Sequence, residues 1–218
     1  MERLAVPIVV AMGVVFVVWY LAGNWFMRRR AGRLAVWCKR AAGQFGRKHT
    51  IKWFTINSFE IEVEPSPPFT FLSFIGLAES WDVPFIWLWN RLHWRRDMVL
   101  AQLTLRKQPL WGFELFRASS VLSGDARRAT DREGWPVGTL EEFQVAPAEG
   151  PGRELAERLL AELSPHRMQL IRLSVRRNDV HVSLGLNVPS PAGLPPEKFA
   201  TLLRELASAA SASPVLSS

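Results

Sequence analysis

LAVPIVVAMGVVFVVWYLAGNWFM, residues 4–27, decides the class of the chain, because these 24 residues include no charge at all. At about 1.5 Å per residue, a helix of this length covers roughly 36 Å and crosses a hydrocarbon layer of about 30 Å with some tilt. Twelve of the residues are Val, Ile, Leu or Phe. Each favours insertion by roughly 0.3–0.6 kcal/mol, while Pro7, Gly13, Gly23 and Asn24 subtract from the sum. A cleavable secretory leader is the rival reading, but its apolar region runs about 7–15 residues and ends in a small-x-small site. Here Leu21-Ala22-Gly23 leads into Asn24-Trp25-Phe26 and three arginines. Residues 1–27 are therefore expected to be an uncleaved transmembrane anchor, with Trp19, Tyr20 and Trp25 suited to the interfacial aromatic belt.

Charge gives the orientation. Only Glu2 and Arg3 precede the apolar run, whereas Arg28, Arg29, Arg30, Arg33, Lys39, Arg40, Arg47 and Lys48 follow it with no acid among them. The side richer in Lys and Arg stays inside. A single pass through the cell membrane is expected, with the N-terminus outside and the C-terminal part cytoplasmic. The one cysteine, Cys38, suits a reducing compartment and excludes a disulfide framework. The chain carries +7, but residues 28–48 hold +8 and residues 1–27 sum to zero, which leaves residues 49–218 at −1. A near-neutral domain gives no electrostatic case for nucleic acid as a partner.

Residues 28–48 read as a basic juxtamembrane amphipathic helix continuing from the anchor, with Leu34, Trp37, Ala41 and Phe45 along one side. Arg28, Arg29, Arg30, Arg33, Lys39 and Arg40 are expected at anionic lipid headgroups, each contributing about 1 kcal/mol there. Cys38 reads as a small residue on a partly buried helix face in preference to a palmitoylation site.

Residues 49–207 read as an α+β domain in which an antiparallel sheet of hairpins is covered by helices. A hairpin over 50–64 turns at Asn57-Ser58 and sets Ile56 against Phe59 and Phe54 against Ile61, with Glu60, Glu62 and Glu64 on the solvated side. A second, over 98–117, sets Leu105 against Phe113 and Leu103 against Leu115. A third turns at Asn178-Asp179 and pairs Val175 with Val182, Leu173 with Leu184 and Ile171 with Leu186. Residues 123–134 are polar without an apolar period and read as a flexible loop. One strand is expected over 137–145, although Glu141 falls on its apolar side. Leu155, Leu159 and Leu163 repeat on a helix over 152–163. Phe199, Leu202, Leu203, Leu206 and Ala210 do so on a helix that begins at Pro195-Pro196. Residues 208–218 read as a disordered Ser/Ala-rich tail.

Between the first two hairpins, residues 69–94 hold eight aromatics. Asp82 and Pro84 open a helix that carries Phe85, Ile86, Trp89 and Leu92 on one face. Two readings compete: the rings are domain core, which aromatics at helical spacing favour, or part of them meets the membrane interface with Arg91, Arg95 and Arg96 at headgroup level. Asp97 is expected to form a local salt bridge with Arg95 or Arg96.

Dinucleotide, phosphate-loop, nucleophile-elbow and zinc-helix motifs are missing from the sequence, and His49, His93, His166 and His181 stand singly. No catalytic, metal or cofactor residue is therefore expected, and no motif ties the chain to a named family. The expected role is a scaffold, accessory or assembly protein acting through contact with lipid or another protein, with Trp81, Phe85, Trp87, Trp89, Arg91, Trp94, Arg95 and Arg96 as the candidate interface. The alternative is a membrane-surface enzyme acting on a lipid or envelope precursor.

Overall fold

The computed structural model describes residues 2–81, 85, 87, 88, 92, 97–177, 180–188 and 193–211. Its longest element, helix α1 (Glu2–Ala42), runs 41 residues without a break, roughly 60 Å at 1.5 Å per residue. The two halves of α1 have opposite surroundings. Val9, Val15 and Leu21 are more than 60% exposed, whereas Met27, Ala31, Leu34, Ala35, Trp37, Cys38, Ala41 and Ala42 are buried. Among the described residues α1 is long and apolar enough to cross a membrane. The apolar stripe of the basic segment is there as expected, but it faces the domain. Trp37 Nε1 donates to the Leu194 carbonyl at 2.8 Å, its ring lies 5.0 Å from Phe199, and Phe45 packs edge-on against Phe69.

The domain is one antiparallel sheet. Its strands are β1 (His49–Trp53), β2 (Ser58–Val63), β3 (Phe69–Leu77), β4 (Met98–Leu105), β5 (Phe113–Phe116), β6 (Gly138–Leu140), β7 (Phe143–Ala146), β8 (Leu170–Val175) and β9 (Val182–Asn187). They lie in the order β1-β2-β3-β4-β9-β8-β5-β7-β6. One row of apolar partners crosses it: Ile61, Phe74, Ala101, Leu184, Leu173, Leu115 and Val145. The later half of α1, helix α3 (Pro151–Glu162) and helix α4 (Pro196–Ser211) share one hydrophobic cluster with that row. The expected α+β architecture with covering helices is thus present. Helix α2 (Ser123–Glu133) packs on β5 from the other face, where Arg127 reaches Gln144.

Several sequence expectations need correction. The stretch 98–117 is not a hairpin: β4 pairs with β3 and β9, and β5 pairs with β8 and β7. The β8–β9 hairpin lies between them, because alternation fixes which face a strand buries without fixing its neighbour. The first hairpin turns wider, pairing Trp53 with Phe59 and Ile51 with Ile61. Phe54 and Ile56 go to the tip, since Asn57 Nδ2 binds the Ala78 carbonyl and Ser80 Oγ instead of shaping a tight turn. Residues 69–77 form β3, whose Phe74 and Leu72 are core. Residues 123–133 are helical; the buried stripe is only Ala126, Ala129 and Thr130, too weak to read as a period. Two strands occupy 138–146, and Glu141 takes a left-handed φ of 55° in the turn, which removes its conflict with the apolar side.

In the third hairpin Val175–Val182 and Leu173–Leu184 pair as expected, but a bulge gives Leu186 to Leu170 in place of Ile171; Asn178 and Asp179 lie outside the described residues. α4 continues to Ser211, four residues into the expected tail, and residues 212–218 lie outside the described residues.

Candidate functional site

Four strand ends meet α1 at the point where its surroundings change. β1 ends and β2 begins there, while β3 ends and β4 begins beside Arg30 of α1. Arg30 Nε donates to Asp97 Oδ2 at 2.7 Å, and Arg30 Nη1 lies 3.1 Å from Glu79 Oε2. The backbone N–H of Glu79 donates to Asp97 Oδ1 at 2.9 Å. The side chains of Arg30, Glu79 and Asp97 are 17%, 4% and 9% exposed, so one guanidinium holds two buried carboxylates across the junction of helix and sheet. Asp97 thus pairs with a residue 67 positions away in sequence; Arg95 and Arg96, its expected local partners, lie outside the described residues. Of the other basic residues expected at headgroups, Arg28, Arg29, Arg33, Lys39 and Arg40 are exposed, with the Arg29 guanidinium 4.5 Å from the Trp25 ring centroid.

Part of the aromatic segment is domain core and part packs on α1. Phe69 and Phe74 belong to the core. Trp81 and Trp87 pack on the apolar half of α1: Trp19 lies 5.7 Å from Trp87, Phe26 lies 4.5 Å from Trp81, and Trp81 and Trp87 are 5.1 Å apart. Trp19 Nε1 also donates to the Trp81 carbonyl at 3.2 Å. Phe85, Trp87, Leu88 and Leu92 have helical backbone, as expected, and Phe85, Leu88 and Leu92 are 72%, 50% and 66% exposed. Their i, i+3, i+7 spacing puts them on one side of a helix. Trp89, Arg91, Trp94, Arg95 and Arg96 lie outside the described residues. Trp81 Nε1, Trp87 Nε1 and Glu79 Oε1 are buried without a hydrogen-bond partner, an arrangement costing roughly 1–3 kcal/mol per group.

On another side of α1, the β1–β2 tip stands off the helix and leaves an open groove of about 580 Å³ lined by Arg28, Gly32, Trp53, Phe54, Thr55 and Ile56. Trp53, Phe54 and Ile56 are 50%, 61% and 41% exposed. Sequence reasoning missed this tip because a two-residue turn would have hidden Phe54 and Ile56 in the sheet. It also missed Glu79, which carries no periodic signal.

Away from this end, burial pushes the Cys38 thiol far above its usual range. A buried Glu114 is held by Arg172 Nε and, at 2.7 Å, by Arg176 Nη2. His181 is also buried and accepts the Leu105 N–H at Nδ1. Among the described residues no group of three or more His, Cys, Asp or Glu side chains is placed to hold a metal ion. No protein-family model matches the chain, and neither does any curated protein.

Proposed function

We propose that the protein is a single-pass membrane protein whose cytoplasmic α+β domain works by contact, as a scaffold, accessory or assembly subunit held against the membrane surface. The observation that carries this reading is the continuity of α1. The same rigid helix that exposes a bilayer-length apolar half provides, in its later half, part of the domain core. Anchor and domain then form one body, and the sheet end bearing Arg30, the β1–β2 tip and Phe85 faces the headgroups. The exposed Arg28, Arg29, Arg33, Lys39 and Arg40 favour an anionic inner leaflet and the N-terminus-out orientation.

Trp19 lies eight residues before Met27, about 12 Å along the helix. Trp81 and Trp87, packed beside Trp19 and Phe26, therefore sit at the depth of the interface and the outer hydrocarbon, and Phe85, Leu88 and Leu92 are offered to lipid or to another membrane protein. A membrane-surface enzyme acting on a lipid or envelope precursor would need convergent His, Asp or Glu side chains around an apolar groove. The six residues lining the groove at this end include none.

A photo-crosslinking residue at Leu88 tests the contact. In intact membranes it forms adducts with lipid or with a second protein, whereas the same probe at Asp125 on α2 does not. Equal yields at the two positions overturn the reading.

A further inference from the structure

We propose that the groove between α1 and the β1–β2 tip binds one anionic phospholipid, its phosphate on Arg28 and an acyl chain along Trp53, Phe54 and Ile56. The proposal rests on the reading of residues 4–27 as a membrane span and goes further by assigning a lipid class to one site. Three observations support this occupant. Arg28 is the one charged residue among the six that line the groove, and a guanidinium fork matches a phosphate bidentately. The other walls offer an indole, a phenyl ring and an isoleucine, all large and exposed, which are partners for hydrocarbon and not for a free anion. The groove also begins one residue after Met27, where the exposed apolar half of α1 ends. A phospholipid has two chains, so one whose phosphate sits on Arg28 can keep one chain along that apolar half and lay the other in the groove. The volume, about 580 Å³, falls within the usual range for small-ligand sites of about 300–1,000 Å³.

Gly32 makes the site testable without disturbing the fold. A Cβ there would meet nothing within 4 Å, and replacing a mid-helix glycine favours the helix. Gly32→Leu therefore fills the groove from the α1 side. Phe54→Ser, at an exposed tip position, removes the opposite wall.

The full chain, purified in detergent and loaded with phosphatidylglycerol or phosphatidylcholine, is examined by native mass spectrometry. The wild type is expected to retain one phosphatidylglycerol per chain. Gly32→Leu and Phe54→Ser each lower that retention at least fivefold with an unchanged melting temperature, and Arg28→Gln abolishes the preference for phosphatidylglycerol over phosphatidylcholine. Millimolar inorganic phosphate leaves the retained lipid in place. Undiminished retention in both groove variants, no headgroup preference in the wild type, or displacement by phosphate alone overturns the proposal. A chain that stays in membranes through alkaline extraction but fails these tests refutes the groove site alone. A chain released by alkaline extraction refutes the membrane span as well.

Discussion

At Arg30 a single side chain decides how helix and sheet are joined. In the sequence it is one of three consecutive arginines after an apolar run, and nothing local distinguishes it from Arg28 or Arg29. Its i position on α1 turns it toward Glu79 and Asp97, and that geometry depends on where β3 ends and β4 begins, which no local pattern reveals. Removing the shared cation strands two nearly buried carboxylates. Arg30→Gln is therefore expected to cost about 3 kcal/mol, a fall in melting temperature of roughly 6–12 °C for a chain of this size. Arg33→Gln, at an exposed position of the same helix, changes stability by less than about 0.5 kcal/mol. Thermal unfolding of the detergent-solubilised chain measures both, and equal small shifts would show that the triad is not a structural joint.

Among the elements, the reading of the sequence succeeded where apolar spacing is dense. α3, α4, the β8–β9 pairing at Val175–Val182, and the buried alternation of Phe59, Ile61 and Val63 in β2 all follow from it. It failed where the signal was thin or shared. α2 buries little beyond alanine and threonine, and β3 looks like part of an aromatic run because its rings continue into Trp81.

β3 also contains a glycine with a defined steric role. Gly76 faces Phe59 in the β2–β3 register, and a Cβ at Gly76 would overlap the Phe59 ring, which is fully buried. Gly76→Ala is expected to destabilise by about 1–3 kcal/mol, as overpacking does, and Phe59→Leu in the same chain should recover part of the loss. Denaturant unfolding of the single and double variants checks this; a neutral single variant would contradict the packing.

Between α3 and α4, burial and the Glu205 carboxylate push Glu162 above its ordinary value of 4.5, with Arg158 opposing. A carboxyl group raised on folding stabilises the protein when protonated and loses that contribution as pH rises through its folded value. Glu162→Gln should therefore stabilise relative to wild type at pH 7, with the difference vanishing below about pH 4. A difference that grows on acidification would reverse the sign.

Considered as a whole, the molecule is ordered by α1. Charge and hydropathy alone located the apolar half and the basic residues that follow it, and hydrophobic alternation gave the α+β class. The order of the strands was not accessible that way. The chain leaves β4, builds β5, α2, β6, β7 and α3 on the far side, and returns with β8 and β9 to close the gap. That long-range insertion is why Leu105 and Phe113, adjacent in a hairpin reading, sit on strands separated by two others. The direct pairing of β3 with β4 leaves Glu79, Trp81 and Asp97 at the end of the sheet where α1 passes from exposed to buried. The ion triad, the tip groove and the Trp81–Trp87 contacts therefore all lie around α1 near the point where its exposed apolar half ends.

Single cysteines introduced into a Cys38→Ala chain at Glu2 and at the exposed Ser66 test the membrane-spanning body most directly, with a membrane-impermeant maleimide applied to intact cells. Glu2→Cys is expected to label from outside and Ser66→Cys only after the membranes are opened, both on a chain of the full 24.7 kDa. Labelling of Ser66→Cys in intact cells, or a shortened chain cut near Asn24 and free of the membrane, would contradict a single helix that crosses the bilayer and continues as the core of a cytoplasmic domain.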